Sequence, residues 1–341
     1  MKEEITGSHD RRTFLKTSVA MAGGLAVGSL LRKVSAQPKV TTIRTGFTLA
    51  PEHPVGQALK RWGDNLTKKT NGAFVVHVHG GGVLGNSRTA SESVSMGTLE
   101  SYWLDPAECA SFNQALNILS APYIWSDPKI LQKATKDPSI IEPLYAPVIK
   151  KGIRALAIGY GGTRHLTTKN TPAKRPEDLK GLRIRIPEIP VFRDMVTSWG
   201  ATPTPIPFAD LFTSLQAGIV DGQENPYPQI LSNRFYEVQK YLIHTGHVMQ
   251  SISIIYSEQL FQQQPKDAQK IMAETAQEAV DWFLSFLTAD EGKMLEQLKG
   301  YGMQVIEPDV KAFRDAMGKV YEKYDAIWTK ALREKLQNYK A

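Results

Sequence analysis

Gly181-Leu-Arg-Ile-Arg-Ile-Pro187 reads as a short strand that delivers a guanidinium, and Ala217-Gly-Ile-Val-Asp-Gly-Gln-Glu-Asn-Pro226 as a helix end running into a polar turn that can present an amide. Alternation along the first puts Leu182, Ile184 and Ile186 on one face and both arginines on the other. Arg183 reads as part of a solvated strand face. Arg185 lies at the C-terminal end, just before Pro187 stops the hydrogen-bond ladder. Open α/β sheets form their ligand crevices at the carboxyl ends of strands. A guanidinium there offers a planar two-donor fork that matches a carboxylate. In the second stretch, Asn225 precedes Pro226 and is biased to an extended conformation. That projects its amide away from the preceding helix, where it can donate to a carboxylate and accept from a hydroxyl. No nucleophile or metal cluster stands beside either stretch, so the pair points to a site for a small carboxylate.

Other candidates are open on the residues alone. Arg164, in Gly161-Gly-Thr-Arg-His-Leu-Thr167, reads equally well as a surface arginine. Phe208, in Pro207-Phe-Ala-Asp-Leu211, reads first as a core aromatic. Trp103 and Asp105 stand at the end of an apolar run over 99–104, and His53 lies in Pro51-Glu-His-Pro54; each can equally be an ordinary loop or strand-end residue.

The two opening stretches closely resemble the solute receptors of tripartite ATP-independent periplasmic (TRAP) transporters, the DctP-like family. The most specific piece is Q-E-N-P. The resemblance covers about residues 40–335 and is strongest over 159–229. It implies a two-lobe α/β periplasmic-binding-protein architecture with a ligand cleft between the lobes, and a receptor rather than an enzyme, with no cofactor. Arg185, in G-L-x-x-R, would carry the salt bridge to the ligand carboxylate. Asn225 would contact the solute. Arg164, in G-x-R-x-x-T, would point into the cleft as a second cation or hydrogen-bonding partner. Phe208 would form an apolar wall, and Glu188 a position that varies with the ligand. Trp103 would offer a stacking face, Asp105 an acceptor for hydroxyls or an amino group, and His53 a further contact. Asp210 stands where the family usually has Glu, a conservative departure. The implied partners are a small organic acid and the membrane subunits of a TRAP permease, which an ion gradient drives instead of ATP. A monomer is expected. Glu188 and Asp105 hint at a hydroxylated or amino-bearing monocarboxylate, such as a sugar acid.

The N-terminus agrees with export. Asp10-Arg-Arg-Thr-Phe-Leu-Lys16 resembles a twin-arginine (Tat) signal, residues 17–31 follow without a charge, and Val34-Ser-Ala36 supplies a small-x-small cleavage pattern. The charge-free stretch is short for a bilayer span and is broken by Gly23, Gly24 and Gly28. Gln37 is therefore the expected mature N-terminus and the periplasm the expected location. The leader holds three of the chain's net +7 charges, which leaves +4. That balance, without a basic run interleaved with aromatics, excludes a nucleic-acid footprint. Cys109 is the only cysteine, so no disulfide within the chain and no Cys-based metal site is possible.

Short apolar runs alternate with amphipathic stretches, the pattern of an α/β protein. Strands are expected over 40–49, 73–79, 99–104, 153–159, 182–186, 200–205 and 252–256. Helices are expected over 54–70, 88–96, 207–217 and 309–336. A long helix over 265–298 would span roughly 50 Å and brace both lobes. The organisation expected is a signal peptide over 1–36, lobe I over 37–161 and lobe II over 162–250. Residues 251–290 return to lobe I and enter the bracing helix, and 291–341 pack on lobe II and across both lobes. Gly161-Gly162 and the polar run to Arg175 read as the first crossover.

Weaker signals carry little. His77 and His79 share a strand face but lack a third ligand at a convincing spacing. Gly80-Gly-Gly-Val-Leu-Gly85 lacks the Lys-Ser/Thr of a P-loop and the spacing of a dinucleotide fingerprint. No G-x-S-x-G is present. The rival readings are a receptor for an ABC importer, which should lack the paired G-L-x-x-R and Q-E-N-P, a Tat-exported enzyme, and a receptor of the resembled family that senses rather than transports.

Overall fold

The computed structural model describes residues 40–339. The Tat-type leader and the cleavage site after Ala36 lie outside the described residues. Nine strands form one mixed sheet: β1 (Thr41–Gly46), β2 (Phe74–His79), β3 (Ser101–Leu104), β4 (Ile153–Thr168), β5 (Arg183–Ile186), β6 (Thr202–Pro205), β7 (Gly222–Asn225), β8 (Tyr241–Ser257) and β9 (Gln304–Ile306). Their order is β2-β1-β3-β8-β4-β7-β5-β6, with β9 alongside β8.

β4 and β8 are antiparallel partners along almost their whole length, from Ile153 opposite Ser257 to Thr168 opposite Tyr241. They tie two lobes together. β1 and β2 run parallel to one another, and β3 joins β8 at the first end. β5, β6 and β7 are parallel to one another and join β4 through β7 at the second end. The β4–β8 register slips between Tyr160 and Thr163. Gly161 and Gly162 fill this irregularity. Gly162 has φ +115°, and a Cβ there would lie 2.7 Å from Cβ of Pro226. Only glycine allows both that backbone and that approach. The pair therefore marks the waist of a continuous strand, where the sequence suggested that a strand had ended.

The helix Pro54–Lys69 shows how the first lobe is built. Pro54 suits the first helical position, and Val55, Leu59, Trp62 and Leu66 are all buried. Each such side chain stabilises the fold by about 1.5–3 kcal/mol. Asn71 and Gly72, both at positive φ, end the helix and turn the chain into β2.

The helix Lys266–Gly300 runs for 35 residues, or about 52 Å. Met272, Ala276, Ala279 and Phe283 pack in the larger hydrophobic core, while Met294 and Leu298 belong to a second core with Leu211, Leu215 and Tyr227. One helix thus braces both ends of the molecule. Instead of a single closing helix, three follow: Val310–Asp315, Gly318–Trp328 and Lys330–Gln337. Lys323 and Tyr324 both reach Asp194 at 2.8 Å, tying these helices to the helix Pro190–Ser198. Among the described residues, no helix is long and apolar enough to cross a membrane.

The segment read as a polar turn, Gly222-Gln-Glu-Asn225, is instead the fully buried strand β7. Its polar side chains are matched internally. Gln223 Nε2 donates to Thr167 Oγ1 at 2.8 Å, and Glu224 faces a guanidinium. β8 also begins earlier than its apolar run suggested, at Tyr241, with His244, Thr245 and His247 inside the strand.

Candidate functional site

Arg185 sits at the buried C-terminal end of β5. Arg183 is exposed and pairs with Asp221 at 2.9 Å, whereas Arg185 is 2 % exposed. Its Nε and Nη2 both donate to the carbonyl of Ile206, at 2.9 and 2.8 Å. The guanidinium carbon lies 5.7 Å from the ring centre of Phe208. Nη1 donates to no described residue. Burial lowers the Arg185 pKa to about 10, with Glu224 opposing, Arg164 adding to the fall and Glu108 opposing it. At neutral pH the group is still a cation, and no carboxylate is hydrogen-bonded to it.

Arg164, on β4 beyond the waist, is in a different state. Nε donates to Glu224 Oε2 at 2.5 Å and Nη2 to Glu224 Oε1 at 2.8 Å, a two-pronged pair. Nη2 also reaches the Glu224 carbonyl at 2.6 Å, and Nη1 reaches Gln250 Oε1 at 2.9 Å. His247 Nε2 lies 3.0 Å from Glu224 Oε2. Burial pushes the Glu224 carboxyl up, but Arg164 and the bond to His247 outweigh it and hold the carboxyl below its usual range. Arg164 is thus neutralised by the protein. The residue expected as a second cation or a hydrogen-bonding partner of the ligand lines the cavity within a buried ion pair, and Glu224, within the quoted Q-E-N-P, is its partner.

Asn225 ends β7, buried, and its Nδ2 donates to Gln223 Oε1 at 2.5 Å. Its Oδ1 accepts no hydrogen bond from the described residues. Phe208 opens a short turn and packs edge-on against Phe235, ring centres 5.9 Å apart.

The facing wall comes from β3 and the turn after it. Trp103 is buried, edge-on to Phe283 of the long helix at 5.2 Å. Asp105 caps the 3-10 turn Pro106–Cys109: Oδ1 accepts from Ala107 N at 2.8 Å, and Ser120 Oγ donates to both carboxyl oxygens at 2.8 and 2.7 Å. Its acceptor sites are therefore largely used by the fold. Burial pushes the Asp105 pKa up to about 7, with Glu108 adding to the rise.

Trp103, Asp105, Arg164, Arg185, Phe208 and Asn225 meet around one cavity of about 60 Å³. Phe47, Thr48, Glu108, Gln229 and Gln250 also line it. Phe47, Thr48 and Glu108 come from loops and a short turn without a periodic pattern, while Gln229 lies in the helix Tyr227–Ser232 and Gln250 in β8, where a polar side chain gives no sign of facing a cavity. A second chamber of about 280 Å³ adjoins it and shares Thr48, Glu108, Arg185, Pro187 and Phe208 with the first.

Two expected residues stand apart from the smaller cavity. Glu188 lies on the second chamber, exposed, with Arg88 of the helix Ser87–Ser95 at 3.7 Å. His53 lines neither chamber; its Nδ1 accepts from Val55 N at 3.2 Å and caps the first helix. Burial lowers its pKa to about 3, so the ring is neutral and structural. No group of three His, Cys, Asp or Glu residues stands ready to hold a metal among the described residues.

With this geometry in hand, comparison with known proteins is direct. Residues 45–326 match the family model described as bacterial extracellular solute-binding protein, family 7 (DctP). The 2,3-diketo-L-gulonate-binding periplasmic protein YiaO of Escherichia coli K12 is 30% identical, over 81% of this chain and 84% of its own. A TRAP periplasmic solute-binding protein from Polaromonas sp. JS666, solved with D-erythronate, superposes with a TM-score of 0.84 at 31% identity, over 88% of this chain and 99% of that one. Another from Ochrobacterium anthropi, solved with L-fuconate, gives 0.82 at 28% identity, over 87% and 98%. The chain belongs to the DctP family of TRAP solute-binding proteins, periplasmic receptors for small carboxylates.

Proposed function

We propose that this receptor binds a hydroxylated monocarboxylate, a sugar acid, with the carboxylate on Arg185. One observation carries the reading: of the two buried guanidiniums lining the cavity, Arg164 is neutralised by Glu224, while Arg185 has only the Ile206 carbonyl. A second carboxylate would find no further free cation there. The opposite wall, with Glu108, offers an acceptor suited to hydroxyls. Two relatives named above support this class, since D-erythronate and L-fuconate, with which they were solved, are both hydroxylated monocarboxylates.

The lobes close over the ligand about the β4–β8 waist at Gly161-Gly162. The closed form then docks on a TRAP permease in the membrane. Differential affinity of the ligand for the closed form is what drives closure. The protein reaches the periplasm by the Tat route, which Arg11-Arg12 and the pattern ending at Ala36 motivate; receptor function, rather than catalysis, follows from family membership.

A thermal-shift screen against aldonates, uronates, simple fatty acids and dicarboxylates tests the ligand class. A true ligand at a hundred times its Kd adds about 2.7 kcal/mol of stability, a readable rise in Tm. Stabilisation by dicarboxylates alone would contradict the reading.

A further inference from the structure

Glu108 stands where the two chambers meet, lining both together with Arg185. The turn Pro106–Cys109 fixes its position, because Glu108 Oε2 accepts from Asp105 N at 3.0 Å and closes a capping box. The Ser87 side chain also hydrogen-bonds to this carboxyl, and a carboxylate, with about four acceptor positions, keeps capacity beyond those two donors. Small-molecule sites run to about 300–1,000 Å³. The chamber of 60 Å³ beside Arg164 and Asn225 falls well short of that, and the 280 Å³ beyond Glu108 brings the pair to the lower end of it. A ligand anchored on Arg185 therefore runs past Glu108.

We propose that Glu108 is the specificity-determining residue of the site: its remaining acceptor capacity takes a hydroxyl hydrogen from the ligand chain, and its carboxylate repels a second one. This rests on the reading above, in which Arg185 holds the ligand's carboxylate. Hydrogen bonds to a charged acceptor are roughly twice as strong as neutral ones, so an acid without hydroxyls gains nothing from Glu108 and leaves its carboxylate desolvated. A dicarboxylate places like charges in a partly dry chamber, where repulsion is poorly screened.

Three probes of one chain length separate these effects by titration calorimetry: L-galactonate, galactarate and hexanoate. Galactarate differs from L-galactonate only in carrying a carboxylate in place of the terminal hydroxymethyl group. The protein should prefer L-galactonate to each of the others by at least about tenfold. Glu108→Gln keeps an acceptor for the Asp105 N–H and removes the charge. It should weaken L-galactonate and strengthen galactarate, narrowing the gap between them by about tenfold or more. A purely structural role would weaken all three acids in proportion, so an unchanged ratio overturns the assignment to Glu108. Should the variant not fold, the unsubstituted protein still decides: equal or reversed preference between L-galactonate and galactarate overturns it. Binding of none of the three, nor of any hydroxy acid in the thermal screen, overturns the underlying reading and the inference with it. Binding that Arg185→Ala abolishes, with a preference between L-galactonate and galactarate that Glu108→Gln leaves unchanged, overturns the inference alone.

Discussion

The cleft wall built from β4, β5 and β7 carries two guanidiniums, Arg164 and Arg185, while the wall after β3 carries two carboxyls, Asp105 and Glu108. The cations differ in what surrounds them: Arg164 is saturated by Glu224 and Gln250, and Arg185 keeps donor capacity free. The carboxyls differ likewise, with both oxygens of Asp105 tied to Ser120 and one also to Ala107, whereas Glu108 takes only the Asp105 N–H and the Ser87 side chain and lines both chambers. Each wall therefore pairs one structural charge with one available charge. Residue type alone does not identify a ligand contact; the count of unspent donors and acceptors does.

The largest effect should follow from breaking the structural cation. Arg164→Ala leaves Glu224 buried without its partner, a loss of about 3–5 kcal/mol of stability. Chemical denaturation of the apo protein reads this directly. An apo stability within about 1 kcal/mol of the parent would mean that the Arg164–Glu224 pair does not hold the second wall together.

The available cation should behave in the opposite way. Arg185→Ala removes the carboxylate's partner at about 2–5 kcal/mol of binding energy, so Kd should rise at least roughly thirtyfold by calorimetry. Its apo stability should change less than that of Arg164→Ala, since only hydrogen bonds to one carbonyl are lost. Arg185→Lys should also bind poorly, because it keeps the charge and loses the fork. Near-parental affinity in both variants would remove Arg185 from the site.

The structural carboxyl makes a pH-dependent prediction. The Asp105 pKa is raised from 3.8 to about 7 in the folded protein. Between those values the native state binds more protons than the unfolded state, so stability falls as pH rises. The penalty is absent below about pH 4 and complete above about pH 7, where it reaches at most about 4 kcal/mol. Asp105→Asn still accepts from Ala107 N and removes the charge. The gap in Tm between variant and parent should therefore widen in the variant's favour from pH 4 to pH 7 and then level off. A constant gap across that range would mean that Asp105 does not titrate within it.

The smallest effect belongs to the exposed pair at the rim of the larger chamber. Arg88 and Glu188 lie 3.7 Å apart with side chains 71% and 53% exposed. Such pairs contribute little. Arg88→Ala should shift Kd by less than about threefold, and a larger change would make the pair a working latch between the walls.

Much of this arrangement was legible in the chain. The place of Arg185 at the C-terminal end of Leu182-Arg-Ile-Arg-Ile186, just before Pro187, distinguished it from the solvated Arg183 on the same strand face, because ligand crevices form at the carboxyl ends of strands. The long bracing helix was legible through Met272, Ala276, Ala279 and Phe283. β7 was not, since Gly-Gln-Glu-Asn looks like a turn until Thr167 and Arg164 arrive from β4 to satisfy it. The same holds for the early half of β8, where His244, Thr245 and His247 are partnered by distant residues. The loop histidine His53 proved to be a helix cap, a local role that Pro54 beside it could have signalled. Glu108 escaped notice because a short 3-10 turn has no period to reveal which side chain points into a cavity.

The most direct test is a crystal structure with L-galactonate bound. The ligand carboxylate should lie within about 3 Å of the Arg185 guanidinium, with Glu224 still paired with Arg164 and a ligand hydroxyl on Glu108. A carboxylate seated on Arg164, with Glu224 displaced and Arg185 still turned to the Ile206 carbonyl alone, would contradict that placement.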